Sequence, residues 1–342
     1  MLFKYKILIL LSLLIIAAVF PLYNIVYKPN LLSSEGHFGK IVIDPGDTLI
    51  KIAGGLENAG LVDDAGRFIW AAKIMRVETR IPAGIFTIPF GLSNRDLILR
   101  MMFSGTNTEN VTIKEGWAAK KIAMVLQKEC DIDSAGFMNA VLDSVFTHEL
   151  GIEAPTLEGY LYPNTYNLYL GMNPYETARK MVTEFKSIFA DSLKSRAFDI
   201  GFSVNEIITL ASIIEGEIIY SSEAPVVSAV YHNRLKKGMR LQADPTIQYI
   251  IPDGPRRVLY RDLKIDSPYN TYRIKGLPPG PIGNPGKRAI FAALYPKKVP
   301  YIYFVARGDG YHNFNTTIEG HLADKRKFDN YRRKIARQKK KS

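Results

Sequence analysis

The stretch Thr209–Glu217, TLASIIEGE, is an almost unbroken apolar run that carries a carboxylate at Glu215. Ser203 lies just ahead of it and Glu206 three residues further on, a capping-box pattern that predicts a helix starting near Val204. On that helix Ile207, Leu210, Ala211, Ile214 and Ile218 follow i, i+3, i+4, i+7, i+11 spacing, and Ile208, Ser212, Glu215 and Ile219 line the neighbouring stripe. A helix apolar on most faces is buried or nearly so. Glu215 is therefore expected to be paired, protonated or at the lip of a cleft. Desolvation disfavours the charged form of a carboxyl group and raises its pKa, which suits a proton donor near neutral pH. The competing expectation is a structural ion pair with Arg234 or Arg240.

Beyond this helix come four further blocks: YHNRLKKGMRLQADPTIQY (231–249), SPYNTY (267–272), GLPPGPIGNPG (276–286) and YIYFVARGDGYHNFNTT (301–317). In this order and spacing they resemble the endolytic murein transglycosylase family of bacteria, over roughly Asn205 to Leu322 and more weakly back to residue 40. The resemblance implies that Glu215 is the catalytic acid/base. Two departures bear on the shape of that subsite: Gly216 stands where a Lys is common, and Ile218 where a small or hydroxyl residue is usual.

The chain has 342 residues, 47% of them hydrophobic, enough for about two domains with real cores. Lys4 and Lys6 precede an apolar run over residues 7–27, which as a helix would span about 31 Å at ~1.5 Å per residue. Tyr23 and Tyr27 sit at its outer end, and only Lys28 follows closely, so residues 1–6 are expected in the cytoplasm and the rest outside. The rival reading is a cleaved signal peptide. The run lacks a convincing small-x-small site and a nearby Cys for lipid attachment, which favours a single uncleaved transmembrane anchor of the inner membrane with an extracytoplasmic, periplasmic enzyme. Cys130 is the sole cysteine, so no intramolecular disulfide framework exists, and KECDID offers it no paired base.

Net charge is +12, yet residues 325–341 hold ten Lys/Arg and one Asp, a local +9, which leaves +3 elsewhere. Such a basic tail (331–342 in the domain reading) suits anionic headgroups or acidic wall polymers, or simply solvation. An exported chain has little occasion to meet nucleic acid.

The N-terminal half repeats itself at an offset of 70: Ile43–Gly46 aligns with Ile113–Gly116, Ile52-Ala53 with Ile122-Ala123, Leu56 with Leu126, and Val62-Asp63 with Ile132-Asp133. Each copy reads as strand, turn, helix and a second helix capped near Asp63 or Asp133, then an extended segment closing at Gly91 or Gly171. The second copy (111–185) has gained ten residues, in the region that holds LEGYLYPNTY (157–166) with Glu158. The first, VIDPGDTLIKIAGGLENAGLV, resembles a LysM-like module, a small fold often used to hold N-acetylglucosamine chains; a spacer is the alternative. The expected organisation is α+β: linker 28–39, LysM-like subdomain 40–103 and a mixed α/β catalytic domain 104–330.

Cleaving a β-1,4 glycosidic bond requires protonation of the leaving oxygen and stabilisation of an oxocarbenium-like centre. The resemblance implies one Glu used twice, as acid and then as base for the muramic acid 6-hydroxyl, giving a 1,6-anhydro end without water. Around it, Asn233, Gln242 and Thr246 offer neutral polar groups for sugar hydroxyls and N-acetyl groups, Asp244 is the nearest other acid in a motif, and Tyr269, Asn270, Thr271 and Tyr272 combine flat faces with polar partners. Asn315 and His312 follow a GDG turn, and Glu158 is either a second functional carboxylate or a loop pin. GLPPGPIGNPG is too rich in Pro and Gly for a helix or central strand, so it reads as an ordered loop at the cleft or a wrap over the core. Neither HExxH nor paired His/Cys ligands, nor a phosphate loop, nor a GxSxG elbow is present, so no metal or cofactor is expected. Glycan strands are the expected substrate, with peptidoglycan synthases as partners implied by the resemblance. The alternatives are a muramidase with Asp244 or Glu217 as second carboxylate, and a non-enzymatic wall-binding scaffold.

Overall fold

The computed structural model describes residues 19–30, 38–103, 108–252, 254 and 256–338. Most of the apolar N-terminal run lies outside these residues; of it, 19–26 are helical. Among the described residues no single helix is long and apolar enough to cross a membrane.

The architecture is α+β, with helices predominating over three two-stranded sheets among the described residues. In chain order the elements begin β1 (Phe38–Ile43), α1 (Leu49–Asn58), α2 (Ala65–Ile74), β2 (Gly84–Pro89), α3 (Asn94–Phe103) and β3 (Thr108–Thr112). There follow α4 (Ala119–Cys130), α5 (Ser134–Leu142), α6 (Ser144–Glu149), β4 (Thr165–Tyr169), α7 (Pro174–Ile188) and α8 (Asp191–Asp199). The last third holds α9 (Val204–Glu217), α10 (Ala224–Lys236), α11 (Asp244–Ile250), α12 (Lys287–Leu294), β5 (Tyr303–Ala306), β6 (His312–Asn315) and α13 (Ile318–Gln338).

The described residues fall into two compact units, one within 1–111, 127–132 and 167–176, the other within 112–126, 133–166 and 177–342. In the first, β1 pairs antiparallel with β2 from Phe38↔Pro89 to Ile43↔Gly84. Alternation in β1 buries Ile41 and Ile43 against Leu56, Phe68 and Leu97 from the helices. Both copies of the repeat run strand–helix–helix–strand, with β1 paired to β2 and β3 to β4. Matching glycines take left-handed backbone in each, Gly46 with Gly116 and Gly91 with Gly171. The cap of α2 falls near Asp63 as expected, on its neighbour Asp64. Asp64, not Asp63, accepts from the Arg67 N–H, because Asp63 is engaged by the Arg67 guanidinium at 2.7 Å. Asp133 caps α5 as expected. Cys130 is buried, and desolvation pushes its thiol up to about 11, the state of an inert core residue.

The second unit is organised around α9. Every residue from Ile207 to Ile214 is buried, and the helix packs against α12, α10, α11 and α8. The expected capping box is present: Ser203 Oγ accepts from the Glu206 N–H at 3.2 Å, and Glu206 Oε2 accepts from the Ser203 N–H at 2.8 Å. β5 and β6 form a hairpin in the register Tyr303↔Asn315 to Ala306↔His312. The basic C-terminal segment is helical through Gln338, as part of α13, whose run of Lys, Arg and Ala favours that conformation. Ser203→Ala, which removes one half of the box, should lower stability by about 1 kcal/mol in urea denaturation, with Ser203→Gly costing less.

Candidate active site

Glu215 occupies the last turn of α9, where the buried run ends and the helix meets solvent. Its Oε2 accepts from the Gly286 N–H at 3.0 Å, and its Cγ packs over Gly116. The wall it faces is built from two short segments of the second unit, the turn 114–117 after β3 and the Gly-Pro stretch 281–286 before α12. Reciprocal main-chain bonds join them: the Gly116 N–H donates to the Asn284 carbonyl at 2.8 Å, and the Asn284 N–H to the Trp117 carbonyl at 3.0 Å.

The Asn284 side chain ties in a third segment. Its Oδ1 accepts from the Gly159 and Leu161 N–H groups at 2.9 and 2.8 Å, while Nδ2 donates to the Trp117 carbonyl at 2.9 Å and to Glu158 Oε1 at 3.0 Å. Glu158 in turn takes the Ala119 N–H on both oxygens, each at 3.1 Å. It acts as the loop pin. Burial pushes its carboxyl up to about 7 despite these donors. From α9, Ser212 Oγ accepts the Ile282 N–H at 3.0 Å, so the helix bearing Glu215 also holds the Gly-Pro stretch.

Burial raises the Glu215 carboxyl above the usual carboxylate range; the Gly286 N–H and the Arg288 charge oppose this, and the Glu115 charge reinforces it. The expectation of a structural ion pair is not met. Arg234 donates instead to the Ile302 and Leu241 carbonyls at 2.7 and 2.6 Å, and Arg240 is exposed. Glu217 lies on another face, where it accepts from the Tyr231 hydroxyl at 2.7 Å, and burial pushes it up to about 7.

Gly216 fits a close helix crossing. A Cβ there would fall 2.6 Å from Pro245 Cβ, so α11 occupies the space that a longer residue at this position would need. Pro245 is followed by Thr246, whose hydroxyl is fully buried and lies 2.9 Å from that of Thr271. Thr271 Oγ1 also accepts from the Ala243 N–H at 2.9 Å. Asn270, equally buried, donates to the Leu263 and Ile265 carbonyls at 3.0 and 2.7 Å. Asn233 donates to the Val299 and Tyr301 carbonyls at 2.9 and 2.8 Å, and Asn315 to Asp324 at 3.1 Å. These five side chains frame the unit through bonds to the protein itself. Gln242, in left-handed backbone, is exposed; Asp244 accepts from the Tyr272 hydroxyl at 2.6 Å; and the Tyr269 ring lies 5.2 Å from that of Tyr249. His312 is a loop contact, its Nδ1 2.8 Å from Glu223 and its N–H on the same carboxylate at 3.0 Å. Asn284, Gly286 and Glu115 were not singled out by sequence reasoning; the G-N-P-G punctuation was the available signal.

A carboxyl group whose pKa is raised by burial thus stands at the solvent end of a buried helix. The YceG-like family matches residues 41–327, and the chain belongs to that family. Among its relatives is the endolytic murein transglycosylase of Bacillus subtilis (strain 168), 32% identical over 84% of this chain and 84% of that one. The protein of the same name from Streptococcus pneumoniae (strain ATCC BAA-255 / R6) is 28% identical over 81% of this chain, which spans 56% of the pneumococcal protein. A crystal structure of a yceG-like protein from Listeria monocytogenes superposes with a TM-score of 0.58 at 29% identity, covering 84% of this chain and 98% of that one.

Asn284→Ala should destabilise the protein by about 3 kcal/mol in denaturant titration, because it leaves the buried Gly159 and Leu161 N–H groups without their acceptor and removes one donor from Glu158. Glu217 makes stability depend on pH. Its folded value of about 7 exceeds the ordinary 4.5, so the native state holds a proton that the unfolded chain releases between them. That contribution is full below pH 4.5 and is lost as pH rises through 7. Glu217→Gln should flatten the decline of Tm across this window.

Proposed function

We propose that this protein is an endolytic murein transglycosylase, anchored in the inner membrane, that cuts the MurNAc–GlcNAc β-1,4 bond within nascent glycan strands. The observation that carries the reading is Glu215: a carboxyl at the mouth of a buried helix, proton-holding by burial, in a chain of the YceG-like family. Protonated, it donates to the leaving glycosidic oxygen. Ionised after that step, it takes the proton of the muramic acid 6-hydroxyl as this oxygen closes on the anomeric carbon. The product is a 1,6-anhydro end, and no water is consumed. Holding that hydroxyl near the reacting carbon is a proximity effect, in place of a second catalytic side chain.

The hydrogen bonds of the other carboxylates favour this reading over the muramidase. Asp244 is engaged by Tyr272, Glu217 by Tyr231, and Glu158 by Ala119 and Asn284. Gln242, Tyr269 and the Asp244–Tyr272 pair are the sequence-nominated groups that we assign to the glycan; Asn233, Thr246, Asn270, Thr271 and Asn315 support the fold around them. The LysM-like reading of the first repeat copy fits a role in holding the strand, and an N-terminal anchor over residues 7–27 would limit the enzyme to glycan near the bilayer, where synthases work. Strand termination is the physiological role that follows.

Residues 30–342 acting on peptidoglycan should release anhydro-muropeptides, lighter by one water than reducing-end products in mass spectrometry. Glu215→Gln should lower the rate by about 10²- to 10⁴-fold while glycan binding persists. Reducing ends from the wild-type protein would replace this reading with a hydrolase.

A further inference from the structure

Glu115 is used by none of the roles assigned above, yet it stands at the same residue as the acid. An ideal Cβ on Gly286 would overlap the Glu115 carboxylate, and the Gly286 N–H is the donor to Glu215 Oε2. The two carboxyl groups thus flank one glycine that has no side chain between them. Glu115 directly precedes Gly116, the residue over which Glu215 Cγ packs. The backbone that carries it is clamped by the reciprocal bonds to Asn284, two residues from Gly286. Among the described residues, no hydrogen bond or ion pair neutralises the Glu115 carboxylate, which is exposed.

We propose that Glu115 is a positioning residue of this site, a fixed negative charge that acts on Glu215 across Gly286 and keeps the catalytic proton on it. The proposal rests on Glu215 being the acid of the transglycosylase reading. Two like charges this close disfavour double ionisation, and the Glu115 charge adds to burial in favouring the proton on Glu215. Arg288, from α12, works the other way and would draw the proton off Glu215 if unopposed. The other elements packed on α9 direct their charged groups elsewhere. From α10, Tyr231 and Arg234 act on Glu217, as does Asp244 of α11. From α8, Arg196 donates to the Leu294 carbonyl at 3.1 Å.

Solvent screens an exposed charge, so the coupling is weakest in the free protein. A glycan strand laid over Glu115 displaces that water and strengthens it. The proton is then held most firmly when substrate is in place.

The test compares wild type, Glu115→Gln and Glu115→Asp, each checked for native circular dichroism. The Glu215 carboxyl is followed by ¹³C NMR titration, assigned by its loss in Glu215→Gln, and kcat and kcat/KM are profiled against pH on soluble uncrosslinked glycan strands. A general acid loses activity as pH rises through its pKa, so Glu115→Gln should move the alkaline limb to lower pH by about one pH unit in kcat and by less in kcat/KM. The NMR titration should move in the same direction, and kcat at pH 7.5 should fall by more than twofold and up to about tenfold. Glu115→Asp, which keeps the charge, should lie between. An unmoved Glu215 titration in Glu115→Gln, or kcat within about twofold of wild type, would overturn the proposal. The titration needs no substrate, so a wild-type protein without lytic activity would fail the transglycosylase reading while the NMR result still decides on the charge pair.

Discussion

The hydrogen-bonding capacity of one side chain, Asn284, holds the site together. Its amide oxygen serves two N–H groups of the 159–161 segment, and its amide nitrogen serves a carbonyl of the 114–117 turn and the buried Glu158. The main chain of the same residue adds the two reciprocal bonds to Gly116 and Trp117. An amide is the one neutral side-chain group that donates and accepts twice from a single plane, which is what three converging loops require. Without it, each loop would leave unpaired main-chain groups in a dry interior. Glu215, Gly286 and Glu115 all take their places from segments fixed in this way.

The second consequence of that frame is electrostatic. Glu158, Glu217 and Glu215 all have raised proton affinity because burial dominates their surroundings, yet they differ in what their oxygens meet. Glu158 accepts from main-chain and amide donors on both oxygens, whereas Glu217 accepts one tyrosine hydroxyl. Glu215 has one main-chain N–H and an opening to solvent. Burial alone does not mark a carboxyl as catalytic, since structural groups share the same raised proton affinity.

Much of this was legible in the sequence where the determinants are local. The start of α9, its cap and its burial follow from side chains within one turn of each other, and the duplication follows from self-comparison. Its glycines recur because both copies need the same left-handed turns. The cap of α2 falls beside the expected Asp63, at Asp64, because of the two adjacent aspartates Asp63 pairs with the Arg67 guanidinium one turn on. The α+β class was readable, but Glu115 and Gly286 meet only through tertiary closure, between segments 167 residues apart at the Asn284–Trp117 bond. Polar residues in the motifs posed a different difficulty. Asn270 and Thr271 carry the groups that a sugar would need, and the same groups suit main-chain carbonyls. Sequence does not tell one amide partner from another.

Gly286 has a consequence of a mechanical kind. A residue without a side chain works as a spacer gauge: with only backbone at this position, the carboxyl groups on either side can approach the main chain itself. Side-chain rotamers drift as a core warms or as neighbouring residues change, whereas a main chain held from Ile282 to Gly286 by Ser212, Trp117, Gly116 and Glu215 has little play. The surface against which Glu215 is set is therefore built from the stiffest material nearby.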